Sequence, residues 1–177
     1  QAMEKSVSVR ILSSLEKIYH NDNLPEMDYK GFSMLKNERK SFQIAVECEY
    51  EFIGYLSITS DINNIRLYSV EHIKSDFPMA EGSDDYYRYS EDNYYPDLLL
   101  PTVNHIKFNK GINVFWIEVI ADDTCVGKNK INIELTCDND IITNKSIDVD
   151  VVNCELDFNN FIYTCWFHTD CLMSYYN

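Results

Sequence analysis

His168, Asp170 and Cys171 stand close together near one end of a 177-residue chain. A histidine and a carboxylate two positions apart on a strand share a face. His168 and Asp170 can therefore meet one ligand, contact a sugar or pass a proton, and they are the substrate-facing candidates. A metal site needs more donors than this spacing offers, so neither a metal nor another cofactor is expected. A second cluster comprises Tyr86, Tyr87, Tyr89, Tyr94 and Tyr95, set among Asp84, Asp85, Glu91, Asp92 and Asp97. Flat rings stack on the apolar faces of sugars, and neighbouring carboxylates accept from hydroxyls. The same residues suit packing against an adjoining domain, because tyrosine is enriched at interfaces and many rings in one loop rarely stay bare. Tyr86, Tyr87, Tyr94, Tyr95 and Asp97 are thus candidates for an interface or for sugar stacking.

Other chemistry is poorly supported. Asp122-Asp123, Asp84-Asp85 and the Glu47/Glu49 pair are acids at glycosidase-like proximity, but each reads as a turn or a solvated strand face. Neither Gly-x-Ser-x-Gly nor Cys-Gly-Ser-Cys occurs, so no nucleophile is assigned and no residue of this chain is expected to be catalytic. Asn144-Lys145-Ser146 fits a glycosylation sequon. Cysteines at 48, 125, 137, 154, 165 and 171 form no C-x-x-C pair and mostly occupy apolar strand phases, which predicts buried free thiols. Free thiols favour a cytoplasmic location. Gln1-Ala2-Met3 reads as residues added ahead of a chosen start, which leaves export open. Acids outnumber bases 29 to 15, a net charge of −14. Such a surface repels phosphate backbones and anionic bilayers, so neither nucleic acid nor membrane is an expected partner. No apolar run is long enough to span a bilayer.

The elements that must position these residues are strands. Val7, Val9 and Ile11 alternate with polar residues, as do Phe42, Ile44, Val46 and Cys48. Gly54 to Ser60 and Ile65 to Val70 read as two more strands. Val114 to Val119 is apolar on both faces, which predicts a central strand covered on both sides. Ile131, Ile133, Leu135 and Cys137 face Ile147, Val149 and Val151 across a turn at Asp138-Asn139-Asp140, a strong hairpin pattern. Helical signal is confined to Leu15 and Ile18 behind Ser13 or Ser14, one or two turns at most. About eight short strands with turn residues between them predict an all-β antiparallel β-sandwich over residues 4–156. A composition shift near residues 156–160 sets off a strand-like tail carrying Tyr163, Trp166 and Phe167. Residues 157–177 then read as a linker and the first strand of a further domain. Without that domain the tail is expected to pack on the sandwich, extend a sheet edge or pair between molecules, giving self-association through residues 163–177.

With these segments laid out, the chain resembles the N-terminal region of glycoside hydrolase family 123, enzymes of the β-N-acetylgalactosaminidase type. Glu38-Arg39 with Phe42-Gln43 resembles the family's entry to an early strand. Tyr95-Pro96-Asp97-Leu98-Leu99 with Pro101 resembles its Tyr-Pro-Asp-x-Leu segment. Gly111 through Trp116 and Val119, then Gly127, resembles its Trp-bearing strand pair. Thr164, Trp166, Phe167, His168, Asp170 and Cys171 with Tyr175-Tyr176 resemble the segment that opens its catalytic barrel. The resemblance implies a β-sandwich followed by a (β/α)₈ barrel, and hydrolysis assisted by the sugar's own acetamido group. It also implies that the Asp-Glu pair of a later barrel strand, matched by no position here, carries the acid/base work. The expected role is a non-catalytic accessory domain bracing a C-terminal catalytic domain of the same chain. A stand-alone carbohydrate-binding module and an interaction or adhesion domain are the alternatives.

Overall fold

The computed structural model describes residues 6–75 and 93–155, together with residues 162 and 164. Ten strands follow in order: β1 (Val7–Ser13), β2 (Gly31–Leu35), β3 (Arg39–Cys48), β4 (Phe52–Ser60), β5 (Asn64–Ser75), β6 (Asn93–Pro101), β7 (His105–Phe108), β8 (Gly111–Ile120), β9 (Gly127–Cys137) and β10 (Asp140–Val152). They form two five-stranded sheets, ordered β1-β3-β8-β5-β6 and β2-β10-β9-β4-β7. The fold is an all-β sandwich. Its inner faces are written in the alternation: Phe42, Ile44 and Val46 of β3 and Phe115, Ile117 and Val119 of β8 meet Leu56 of β4, Ile131, Ile133 and Leu135 of β9, and Ile147, Val149 and Val151 of β10 in one core. Burying side chains of this size stabilises by about 1.5–3 kcal/mol each before chain entropy is charged against it.

The hairpin read at Asp138-Asn139-Asp140 is β9–β10, with Cys137 opposite Asp140. Asp138 and Asn139 have φ of 50° and 69°, the left-handed pair that a two-residue turn of matching twist requires. The two-sided strand is β8, third of five in its sheet. Its odd residues enter the inter-sheet core. Ile112 and Val114 enter a second cluster with Leu12, Ala45, Val70 and Ile18, against which Leu24 and Trp116 pack. That second cluster is roofed by residues 14–30, which leave β1, cross the outer face of the first sheet and deliver β2 to the other one.

Two expectations need correction. The one or two helical turns behind Ser13 are not formed: one backbone bond from Glu16 N to Ser13 O closes a turn, and the segment then runs irregularly. Gln43, with Nε2 donating to Ser13 O at 2.9 Å and Glu16 O at 2.7 Å, takes up the carbonyls that a helix would have used. Second, the sandwich is not purely antiparallel, because β2 pairs parallel to β10 from Asp148↔Gly31 to Val152↔Leu35. Alternation carries no direction, and a crossing segment as long as 14–30 lets a strand arrive in either sense. As expected of most of the cysteines, Cys48, Cys125 and Cys137 are buried free thiols; Cys154 is exposed, beyond the end of β10. The 157–177 linker and strand fall almost wholly outside the described residues.

Candidate functional site

Of the residues singled out by chemistry, His168, Asp170, Tyr86 and Tyr87 lie outside the described residues. Tyr94, Tyr95 and Asp97 lie on β6, the edge strand beside β5. Tyr95 meets Tyr19 edge-to-face, with ring centroids 5.9 Å apart and an interplanar angle of 76°. Lys17 Nζ is 3.2 Å from Asp97 Oδ1, with both side chains more than half exposed. Tyr95 and Asp97 thus attach the 14–30 segment to β6. Tyr94 is 50% exposed. Asp122, one of the paired acids, caps a single 3₁₀ turn by accepting from Thr124 N at 2.8 Å. The turn reading of Asp122-Asp123 holds.

A cleft lies where the first sheet forks opposite the outer edge of the second. The β5–β8 ladder ends at Ser69↔Phe115. Beyond it, β5 continues beside β6 as far as Ser75↔Asn93, while β8 from Gly111 to Val114 continues beside β3. The sheet therefore forks. A register shift between Glu71 and His72 helps turn β5 aside, and the residue opposite His72 is Pro96, which has no N–H to give the ladder. Facing the fork is β7, the outermost strand of the other sheet. Leu56 N donates to Asn104 O at 2.8 Å, and Asn104 Nδ2 returns a bond to Leu56 O at 2.7 Å. Backbone direction alternates along an antiparallel strand, so residues 104, 106 and 108 address β4 while His105 and Lys107 present N–H and C=O at the free edge.

Between fork and edge lies a cavity of about 370 Å³, lined by parts of β5, β7 and β8 together with His20, Thr102 and the turn before β8. Its walls are mostly polar. His72 Nε2 is 2.9 Å from Ile18 O, and because a carbonyl only accepts, that nitrogen carries the proton. The His20 ring lies over the His72 ring, centroids 3.8 Å apart and tilted by 31°. Partial burial holds the His20 imidazole below its ordinary pKa, repulsion from His72 lowers it further, and Glu71 partly offsets both. Ser69 Oγ donates to Glu71 Oε1 at 2.9 Å. The turn that presents Lys110 is fixed by Asn113, whose Oδ1 accepts from Asn109 N at 2.9 Å and whose Nδ2 donates to Asn109 O at 2.8 Å. Gly111 follows at φ 95°, a conformation that side chains resist.

All three histidines among the described residues line this cavity. None was singled out from the sequence. His20, His72 and His105 are far apart along the chain and share no motif spacing. Only the fork, itself a consequence of Pro96 and the strand register, gathers them. Among the described residues no three His, Cys, Asp or Glu side chains are grouped to hold a metal ion. No helix among them is long and apolar enough to cross a membrane.

No family model matches the sequence, and no curated protein does. Solved structures do resemble the fold. A family 123 glycoside hydrolase from Clostridium perfringens, described in a study of glycolipid glycan hydrolysis, superposes with a TM-score of 0.63 at 14% identity, over 84% of this chain. The match occupies 28% of that enzyme's length, so this chain spans well under half of it. A PapD-like domain of human CEP192 superposes with a TM-score of 0.35 at 9% identity, over 78% of this chain and 99% of that domain, a likeness too slight to indicate a shared fold. What is shared with the glycosidase at this identity is the β-sandwich architecture.

Proposed function

We propose that this chain is the non-catalytic N-terminal β-sandwich domain of a family 123-like glycoside hydrolase, and that it braces the catalytic barrel of an enzyme acting on N-acetyl-hexosaminides. The observation that carries the reading is the superposition on part of a family 123 enzyme across 84% of this chain. The motif order read from the sequence, from Glu38-Arg39 through Tyr95-Pro96-Asp97 to Trp116, points to the same family independently of the fold. The apolar edge strand also suits a bracing role: Leu98, Leu99 and Leu100 of β6 are 39%, 40% and 44% exposed. Under this reading His168 and Asp170 approach the sugar from the start of the barrel, and Tyr86 and Tyr87 border its mouth.

The test has two arms. The chain alone, incubated with a chromogenic 2-acetamido-2-deoxy-β-galactoside, releases no chromophore above background. The polypeptide from the complete reading frame hydrolyses the same substrate, and removing residues 6–155 abolishes soluble, active enzyme. Hydrolysis that copurifies with the isolated chain overturns the proposal, as does a reading frame that encodes no barrel.

A further inference from the structure

We propose that the cleft between the forked ends of β5 and β8 and the free edge of β7 binds a small polyhydroxylated monocarboxylate, of the size and kind of a hexuronic acid. The first ground is charge. The chain as a whole carries −14 with its histidines neutral, and in the cleft Lys107 is paired with Glu51 while Glu71 accepts from Ser69, which leaves Lys110 as the charged group with no ion-pair partner among the described residues. An unpaired lysine gives an anion a local point of attraction on a protein whose net charge otherwise repels it.

The second ground is backbone. His105 and Lys107 turn their N–H groups to the free edge of β7, and main-chain donors at an open strand edge are ready partners for a carboxylate. Lys110 stands beside them on the Asn113-braced turn. The third is the number of full charges. Lys107 is shared with Glu51 at 3.2 Å, so Lys110 is the one full positive charge the lining leaves for a ligand. One negative charge is matched there, whereas a phosphate dianion is not. The fourth is size and polarity. A volume of about 370 Å³ sits at the low end of small-ligand sites. Thr102 and Asn109 supply groups for sugar hydroxyls, and Ile106 gives an apolar patch for a ring face.

Titration calorimetry on the intact chain tests this, with D-glucuronate, D-glucose, acetate and inorganic phosphate as separate probes. Glucuronate binds with a dissociation constant of roughly 1 mM or below, and each other probe binds at least about tenfold more weakly. Replacing Lys110, an exposed residue, by alanine weakens glucuronate about tenfold. Lys128→Ala, on β9 and outside the cleft lining, leaves it unchanged. Amide resonances of Val70, Lys107, Lys110 and Val114 shift with glucuronate. The assignment is overturned by any of four results: no glucuronate binding at roughly 10 mM, equal binding of glucose, equal or tighter binding of acetate or phosphate, or indifference to Lys110→Ala in a folded variant. Calorimetry reads the cleft and chromophore release reads the domain's place in an enzyme, so either can fail alone.

Discussion

At the scale of single residues, Asp28 does more for this fold than its place in an irregular segment suggests. Oδ1 accepts from Ile11 N at 2.9 Å and Oδ2 from Lys145 Nζ at 2.7 Å, tying β1 of one sheet to β10 of the other. Burial pushes the carboxyl up, but the Lys145 ammonium and the Ile11 N–H together outweigh it, and Arg10 adds to them, so its pKa lies below the ordinary value. A group whose folded pKa is depressed contributes stability above its unfolded pKa and loses it as pH falls through the folded one. Asp28→Asn should cost about 1–3 kcal/mol at neutral pH, and the gap from the parent should narrow as pH falls below about 4. Urea melts at both pH values check this; an unchanged gap would mean that the carboxylate charge is not what matters. The thiols give a second residue-scale expectation. Burial pushes Cys48 up to about 11, with Glu47 adding to it, and burial raises Cys125 and Cys137 as well. Cys154 is exposed. Brief alkylation of the native protein, read by peptide mass spectrometry, should modify Cys154 at least about tenfold faster than Cys48. Equal rates would show that β3 and β8 open readily.

At the scale of elements, what the sequence disclosed depended on whether a strand alternates and how long it is. The β9–β10 hairpin was legible because thirteen-residue β10 and eleven-residue β9 alternate cleanly about Asp138-Asn139. The covered strand β8 was legible because apolar residues occupy both its phases. Strands β2 and β7, of five and four residues, are too short for periodicity to register. Those two carry the unforeseen features, since β2 makes the one parallel pairing among the described strands and β7 supplies the open edge of the cleft. The candidate site was correspondingly hidden: it is made of where strands stop pairing, and no local pattern encodes a stop. Gly31 shows how tightly β2 is held. A Cβ there would collide with the carbonyl oxygen of Asp148 on β10, its cross-strand partner. Gly31→Ala should therefore destabilise by about 1–3 kcal/mol, in the manner of overpacking. Hydrogen exchange should quicken over residues 31–35 and leave β8 protected. Uniform quickening would instead mean that β2 does not open independently of the sandwich.

At the scale of the whole molecule, two opposing electrostatic effects set how stability responds to salt. Uncompensated negative charge, 29 acids against 15 bases, works against compaction. Exposed pairs such as Lys128–Asp150 at 2.6 Å and Lys130–Asp148 at 2.7 Å work for it. Each such pair is worth about 0–1 kcal/mol and is itself weakened by salt. The half-buried Lys145–Asp28 pair, with side chains 22% and 26% exposed, is screened far less. The net repulsion is spread over the whole surface and has no geometry to lose, so screening relieves more than it removes. Raising sodium chloride from about 10 mM to about 500 mM shortens the screening length from roughly 30 Å to under about 5 Å, below the spacing of most surface charges. The midpoint of thermal unfolding should rise by about 2–4 °C, equivalent to about 1 kcal/mol for a chain of this size. A fall in the midpoint over the same range would show that the ordered surface pairs outweigh the general repulsion, and would make the acidic surface a stabilising pattern instead of a load the two-sheet core carries.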